Sequence, residues 1–251
     1  MNGASFPLKS FKHAPIPHMN RLLAALADDD SKRWRRHLEW VDFPVGHVLQ
    51  ETATSLRHAF FPINSTISLR HSMKDGKVAE IAVIGNEGLY GITAFMGSGP
   101  TTNQAVVRST GGFLRLEAAI LKAEFENSAS VREVLLRFTQ ALFTQMSQTA
   151  ICNRHHNINQ QVARFLLMSF DRFNGTHLKI TQEDIANMLG VRREGVTESI
   201  IKLRQAGLVN TSRGQITSLD RCGLEKHTCE CYFVVKEIYE RLLPARNALS
   251  P

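Results

Sequence analysis

The feature that most constrains the fold of this chain is the stretch 180–203, ITQEDIANMLGVRREGVTESIIKL. Its pattern predicts two short helices joined by a tight turn. Thr181 and Asp184 have the three-residue spacing of a capping box, which predicts that the first helix begins there. Gly190 would end it, because glycine readily adopts the left-handed backbone conformation that such a turn needs. The stretch therefore predicts a DNA-reading helix-turn-helix, and the alternative is an ordinary pair of packed helices.

The second predicted helix begins near Arg192 and has two unlike faces. Its inner face consists of residues spaced three and four positions apart, as in a helix that packs on a core: Val196, Ser199, Ile200 and Leu203. The opposite face is charged, and the major groove of DNA is wide enough to admit it. We therefore assign DNA contacts to the following residues in and around this helix: Thr181, Arg192, Arg193, Glu194, Thr197, Glu198 and Lys202.

The segments on both sides complete a small domain around this unit. A supporting helix is predicted over 157–173, and two short strands follow at 208–210 and 215–219. The strands would form a hairpin, or wing, with Arg213 at its tip. There Arg213 would meet a DNA phosphate, a contact that fixes position without reading sequence. Residues 157–251 are thus predicted to form a winged helix-turn-helix domain that binds double-stranded DNA.

Short strands between turn residues dominate the region 44–116. Asp75-Gly76 lies between two of them and is a strong hairpin signal, because this pair tolerates the positive φ of a two-residue turn. The sheet is therefore expected to be antiparallel. Together with two small helices before it, this region predicts a β-roll domain over 20–127. The preceding residues 1–19, where prolines stand among polar residues, are expected to be a flexible arm.

Glycines cluster at two places in the predicted roll. At the first, the strands 104–109 and 113–116 are expected to pair across Gly111-Gly112. At the second, a glycine-rich bend over 85–99 could bring backbone N–H groups close to an anionic effector. The alternative is that these glycines only turn tight corners of the roll. The candidate effector-binding residues are Gly88, Gly91, Thr101 and Thr102.

The longest segment without glycine or proline, 128–153, predicts one long helix. We assign 128–156 as a dimerisation helix because its apolar stripe is broad enough to pack on two surfaces, the roll and a second copy of the chain. A core helix of a monomer is the alternative. The residues assigned to the dimer contact are Val131, Leu135, Phe138, Leu142 and Met146.

Composition permits an anionic partner without identifying one. The chain has 251 residues and a formal net charge of +7, and a basic balance favours association with anions but does not determine a fold. Neither a secretory signal nor an apolar run of membrane-spanning length is found, so we expect a cytoplasmic protein. No catalytic motif and no nucleotide-binding glycine motif occurs. We expect no enzyme and no cofactor; the alternative is a small-molecule-binding or enzymatic roll with an accessory helical domain.

The four cysteines lie in the second half of the chain. A zinc or redox role for Cys222, His227, Cys229 and Cys231 is conceivable. However, Cys229 and Cys231 would point about 200° apart on one helix, and their spacing does not match the C-x₂₋₄-C pair of zinc sites. We therefore assign no metal site and interpret Cys231 as a core residue of a last helix over 223–243.

The order of roll, long helix and winged domain resembles the Crp/Fnr family of bacterial transcription regulators over about 20–243. The similarity is carried above all by ITQEDIA at 180–186 and REGVT at 193–197. It implies an α+β fold with an N-terminal antiparallel β-roll (jelly-roll) of the cyclic-nucleotide-binding type, a central dimerisation helix and a C-terminal winged helix-turn-helix. It also implies a homodimer on a palindromic promoter site and contact with RNA polymerase. Arg193 and Glu194 match the pair with which the family reads G and C edges.

Several residues depart from the family pattern. Glu198 stands where the cyclic-AMP receptor has an arginine, so the preferred site should differ. Where cyclic-nucleotide members carry a ribose-binding glutamate and a phosphate-clamping arginine, this chain has Ile92 and Thr102. We therefore expect no tight cyclic-nucleotide binding and leave the effector unidentified. Cysteines for an iron–sulfur cluster are missing from 1–151, and scattered histidines leave a haem sensor as an open alternative.

Overall fold

The computed structural model describes residues 19–74, 78–97, 99–173 and 176–243. Its N-terminal half is a β-roll preceded by two short helices. The elements are, in chain order, α1 (Arg21–Ala24), α2 (Asp28–Arg35), β1 (Glu39–Phe43), β2 (Val48–Gln50), β3 (His58–Pro62), β4 (Thr66–Ser72), β5 (Val78–Ile84), α3 (Thr93–Met96), β6 (Gln104–Ser109), β7 (Gly111–Glu117) and α4 (Ala118–Asn127). The predicted arm lies almost entirely outside the described residues.

The strands of the roll form two antiparallel sheets that share one apolar core. Their orders are β1-β7-β3 and β2-β6-β4-β5. The predicted antiparallel pairing of β4 with β5 is confirmed, with Leu69 opposite Ala82. The Asp75-Gly76 turn that was expected to join them lies outside the described residues. Sequence order and sheet order differ here, as expected for a roll rather than a simple meander.

The predicted pairing of β6 with β7 is wrong. β6 lies between β2 and β4, whereas β7 lies between β1 and β3 in the other sheet. Gly111 and Gly112 belong to β7 and make no turn. Both positions need glycine because a β-carbon would lie 2.5 Å from the carbonyl oxygen of Asn64 or 1.9 Å from the ring of Trp40. These glycines allow close packing between strands, a role that also occurs within sheets.

The predicted long helix is confirmed as α5 (Ala129–His155). The hydroxyl of Ser128 caps its first turn by accepting the backbone N–H of Val131. One face of α5 packs on the roll, where the ring of Phe138 lies against Gly88. A β-carbon at position 88 would be 1.9 Å from this ring. The helix is therefore an integral part of the roll's core.

This packing corrects the residues assigned to the dimer contact. Val131, Leu135, Phe138 and Leu142 are at most 1% exposed within a single chain, and Met146 packs partly buried against the same core. Other parts of their own chain cover these side chains, so they are not available to a second copy. The periodicity identified an apolar stripe correctly but could not identify the surface that covers it.

The C-terminal half consists of α6 (Ile158–Phe173), β8 (His177–Lys179), α7 (Gln182–Leu189), α8 (Arg193–Gln205), β9 (Val209–Ser212), β10 (Gln215–Ser218), α9 (Arg221–His227) and α10 (Glu230–Leu242). The predicted hairpin β9-β10 is confirmed, and β8 adds a third strand beside β10. The single last helix predicted over 223–243 is wrong. The chain is extended at Thr228 and Cys229 and separates α9 from α10. Within the described residues, no helix is long and apolar enough to cross a membrane.

A buried ion pair joins the two halves. Arg172 of α6 donates from Nε to Oε1 of Glu87 at 2.7 Å, and each side chain is only 6% exposed. Arg172 also donates to the side-chain oxygen of Gln145 on α5. Burial by itself lowers the pKa of Arg172, but the charges of Glu87, Tyr239 and Asp171 and the hydrogen bond to Glu87 together outweigh burial, so the net shift of the pKa is upward. The C-terminal half is thus held against the roll and α5.

Candidate nucleic-acid interface

The first helix of the predicted reading unit begins with the expected capping box. Thr181 Oγ1 accepts the backbone N–H of Asp184 at 3.1 Å, and Asp184 Oδ2 accepts the backbone N–H of Thr181 at 3.1 Å. Gly190 ends α7 with φ 67°, in the left-handed region. Most L-residues adopt this conformation only with strain. The turn that the sequence predicted is therefore confirmed.

The second helix, α8, separates an inner from an outer face as the pattern predicted. Val196, Ser199, Ile200 and Leu203 are at most 3% exposed. The hydroxyl oxygen of Ser199 lies 2.8 Å from both Asn159 Oδ1 on α6 and the carbonyl oxygen of Gly195, so its single hydrogen can be donated to either acceptor. Solvent-exposed positions at and after the start of α8 carry charged side chains, namely Arg192, Arg193, Glu194, Glu198 and Lys202.

Polar contacts on the outer face hold these side chains only loosely. Arg193 Nε lies 3.7 Å from Oε2 of Glu183, and both side chains are more than half exposed. Lys202 Nζ lies 2.7 Å from Oε1 of Glu198, one helical turn away, and this hydrogen bond lowers the pKa of the Glu198 carboxyl. Exposed pairs of this kind contribute little stability. Their groups can therefore exchange partners when a ligand approaches.

Thr197 is arranged differently from the other predicted contact residues. It is only partly exposed, and its hydroxyl donates to the side-chain oxygen of Gln182 at 2.7 Å. This hydrogen bond ties the second helix to the first turn of α7. Thr197 therefore helps to orient α8 in the free protein.

The wing places Arg213 at its tip. Arg213 and Gly214 have φ values of 41° and 76°, and the two strands pair at Gln215 and Ser212. The carbonyl of Gly214 accepts the backbone N–H of Ile180 at 2.9 Å. This bond fixes the wing beside the beginning of α7. The guanidinium of Arg213 is exposed on the same side of the domain as Thr181.

The same arrangement occurs in known proteins. Residues 160–227 match the family model of the Crp-like helix-turn-helix domain. Over 181 residues the chain is 22% identical to the CRP-like cAMP-activated global transcriptional regulator of Mycobacterium tuberculosis, an alignment that covers 69% of this chain and 81% of the relative. Residues 160–227 thus form a Crp-like helix-turn-helix domain, and the chain around them is similar to a CRP-like transcriptional regulator.

Solved structures show how widely this fold is shared. FixK2 from Bradyrhizobium japonicum aligns with a TM-score of 0.67 at 14% identity, covering 76% of this chain and 98% of that chain. A Crp/Fnr-family transcriptional regulator from Eubacterium rectale aligns with a TM-score of 0.63 at 22% identity, covering 80% and 94%. At these identities the likeness concerns the fold. It supports the predicted combination of a β-roll with a C-terminal helix-turn-helix.

Parts of the reading surface lie beside the roll of the same chain. Thr181 and Arg213 line a cleft with Pro44 and Thr110. Arg192 lines a second cleft with Arg70. The position of α8 therefore depends on how the two halves of the chain pack against each other.

Among the candidate effector residues of the roll, the two glycines lie at positions where neighbouring atoms leave no room for a side chain. Gly88 lies against Phe138, and Gly91, with φ 131°, would bring a β-carbon within 2.9 Å of Ala59. These contacts support the interpretation of the glycine-rich bend as a tight corner. Thr101 accepts the backbone N–H of Asn103 with its hydroxyl, whereas Thr102 is exposed. An effector role for the four residues stays a prediction.

A cluster of sulfur and imidazole groups, which the sequence pattern did not predict, lies at the junction of the two halves. Cys229 and Cys231 meet Cys152 in the last turn of α5 and His156 at its C-cap, not Cys222 and His227. Cys222 is exposed, and His227 Nδ1 lies 2.9 Å from the carbonyl of Gly223 in its own helix. The i, i+4 spacing of Cys152 and His156 at the end of a helix was the available signal.

Proposed function

We propose that this regulator binds double-stranded DNA as a homodimer at a palindromic promoter site, with α8 in the major groove. The observation that carries this proposal is the division of α8 into a buried face around Val196 and an exposed, charged first turn. A helix supported in this way can enter a groove without exposing its apolar side chains. In this function RNA polymerase is the expected further partner and the cytoplasm the expected compartment.

The first turn of α8 supplies the chemistry for reading a G·C pair. The guanidinium of Arg193 offers parallel donors to O6 and N7 of guanine, and the carboxylate of Glu194 accepts the N4 amino group of cytosine. The exposed, 3.7 Å contact of Arg193 with Glu183 is too weak to prevent this. We therefore propose Arg193 and Glu194 as the residues that specify sequence.

Residues around this turn would refine and position the contact. The Glu198 carboxylate can accept a hydrogen bond from cytosine once the ammonium group of Lys202 leaves it. Lys202 would then contact a DNA phosphate instead. Arg213 on the wing would bind the backbone on one side, and Thr181 and Arg192 would bind it near the ends of the two helices. Such phosphate contacts fix the register of α8 but carry no sequence information.

An exposed seam of α5 would form the dimer contact. Leu136, Phe143 and Ile151 are 45–50% exposed although they are large and apolar. Steps of four and three residues, the spacing of a coiled-coil seam, connect a row of exposed positions on this side of the helix: Leu136, Gln140, Phe143, Ser147, Ala150 and Arg154. Two copies packed along this seam would place their reading helices around a two-fold axis.

Genome-wide mapping of DNA bound by the full-length regulator tests this function. A homodimer predicts that the bound fragments share an inverted repeat whose half-site centres lie about 10–10.5 base pairs apart, or a multiple of that distance. Bound fragments that share only a single, asymmetric motif would refute the palindromic dimer. Recovery of fragments with no shared motif would refute sequence-specific binding.

A further inference from the structure

Four potential metal ligands meet where the end of α5 contacts the beginning of α10. They are Cys152, His156, Cys229 and Cys231, and one ligand atom of each lies within 4.8 Å of all the others. The three thiols are at most 2% exposed and form a cluster separate from the main apolar core. No part of the DNA-reading surface includes these residues.

Local backbone structure explains how the four side chains converge. Cys152 lies in the last turn of α5, and His156 is the C-cap of this helix, whose backbone N–H donates to the carbonyl of Cys152. This bond places His156 one turn beyond Cys152. Cys229 is the extended N-cap of α10, with φ −102° and ψ 168°, and Cys231 lies within the first turn. Since Cys229 is outside the helix, the 200° divergence expected of two helical cysteines does not apply. Both thiols therefore face α5.

The distances between the ligand atoms suit a single tetrahedral ion. Sγ of Cys152 lies 3.6 Å from Sγ of Cys229, and Sγ of Cys231 lies 3.6 Å from Nδ1 of His156. Bonds of about 2.3 Å to sulfur and about 2.0–2.1 Å to nitrogen at tetrahedral angles separate two sulfurs by about 3.8 Å and a sulfur from a nitrogen by about 3.6 Å. The sulfurs of a disulfide would be about 2.0 Å apart. The spacing is that of ligands around an ion.

The surroundings also fit a metal site. His156 Nε2 lies 3.3 Å from Oε2 of Glu230. A carboxylate on the outer nitrogen orients a ligating imidazole and favours the tautomer whose other nitrogen can bind metal. Three thiolates with one divalent cation leave a net negative charge, and the buried guanidinium of Arg164 is attracted to all three cysteines. Burial lowers the pKa of Arg164, and this attraction opposes the lowering.

We propose that Cys152, His156, Cys229 and Cys231 bind one zinc ion in a closed Cys₃His site. Thiolate and imidazole ligands in tetrahedral geometry favour zinc, and a site with all four positions filled by protein is structural. The ion would link the last helix of the DNA-binding domain to the end of α5. Because α6 begins at Ile158, the link would restrain the junction between the two halves. This proposal does not depend on the proposed DNA-binding function.

Metal analysis of the full-length protein, purified under reducing conditions without chelators, tests the proposal. We expect one zinc per chain. We also expect that replacement by Co²⁺ gives the intense visible bands of a tetrahedral site together with a thiolate-to-cobalt charge-transfer band. Cys231→Ser and His156→Ala should lose the stoichiometric zinc, whereas Cys222→Ser, which changes an exposed cysteine outside the cluster, should keep it.

A second variant separates ligation from a general loss of structure. Glu230 is 76% exposed, so Glu230→Gln should fold normally. Loss of the carboxylate behind His156 should weaken zinc affinity by about 10–100-fold. Unchanged affinity in Glu230→Gln would overturn the role of Glu230. Reduced wild-type protein that contains no zinc and gives no tetrahedral cobalt spectrum would overturn the site itself, as would a Cys152–Cys229 disulfide in protein that takes up no metal.

Discussion

At the scale of single residues, the side chains that we propose to recognise DNA bases are exposed and make only weak contacts within the protein. Arg193 is 65% exposed and has only a 3.7 Å contact with Glu183. Glu198 is paired with Lys202 instead of being fixed to the core. Because neither pair is buried, breaking it costs little. Little of the free energy of the base contacts would therefore be lost in breaking these pairs, and the contacts can discriminate between DNA sequences.

Replacing Arg193 by alanine should reduce both affinity and specificity. The variant loses the paired donors to one guanine, which should weaken binding to the preferred site by about 1–3 kcal/mol and widen tolerance at one base pair of each half-site. Titration of wild type and variant against a set of single-base-pair substitutions measures both effects. Arg204→Ala, at an exposed position in the last turn of α8, is the matched control. An unchanged base preference in Arg193→Ala would remove Arg193 from the reading surface.

The sequence predicted features of single residues correctly where these features depend only on near neighbours in the chain. The capping box of Thr181 and Asp184 and the left-handed Gly190 depend on neighbours within a few residues, and both are present as predicted. The cysteine cluster depends instead on residues 77 positions apart, Cys152 and Cys229. The spacing of residues within one segment contains no information about a tertiary contact between distant segments. A tertiary arrangement was needed to reveal it.

At the scale of elements, α5 shows what a periodic pattern can and cannot predict. The sequence correctly predicted one long helix with a broad apolar stripe. It did not reveal that the stripe around Phe138 packs on the chain's own roll, because the spacing of apolar residues does not identify the packing partner. The same limit explains β6 and β7, whose strand pattern was recognised but whose neighbours in the sheets were not.

Glutamate at Phe143 should separate the dimer without unfolding the chain. About half of this side chain is exposed, and burying roughly 100 Å² of it at the seam would contribute on the order of 2 kcal/mol per copy. Sedimentation of Phe143→Glu should therefore show monomers with wild-type helix content. Gln148→Glu, which adds the same charge on another face of α5, should remain dimeric.

Phe138 lies on the buried face of the same helix, beside Gly88, so its replacement tests folding and not the dimer contact. Phe138→Ala should lower the free energy of unfolding by about 3–5 kcal/mol, the usual cost of truncating a buried phenylalanine. A dimer that survives Phe143→Glu would place the partner contact on another surface of the chain.

At the scale of the whole molecule, the two halves are joined by buried polar groups as well as by apolar packing. Arg108 of β6 donates to Ser169 Oγ of α6 at 2.7 Å, and Arg172 of α6 pairs with Glu87. Removing one partner of a buried pair leaves a desolvated charge, which costs much more than losing a surface pair. The halves should therefore unfold together.

Glu87→Gln is expected to destabilise the whole chain by about 3–5 kcal/mol, because the guanidinium of Arg172 would remain buried without its counter-charge. Glu39→Gln removes an exposed partner of Arg115 and should cost at most about 1 kcal/mol. Urea unfolding followed by fluorescence and circular dichroism measures both. Equal stability of the two variants would mean that the Arg172–Glu87 pair does not join the halves.

In the proposed function, two copies of α8 read one symmetric DNA site. Hydroxyl-radical footprinting of the full-length regulator on a bound duplex, with the protein-to-DNA stoichiometry measured by sedimentation, tests it most directly. We expect two chains per duplex and two symmetric sets of protected nucleotides whose centres lie about 34–36 Å apart, one turn of the double helix, or a multiple of that distance. One chain bound over a single asymmetric footprint would contradict it.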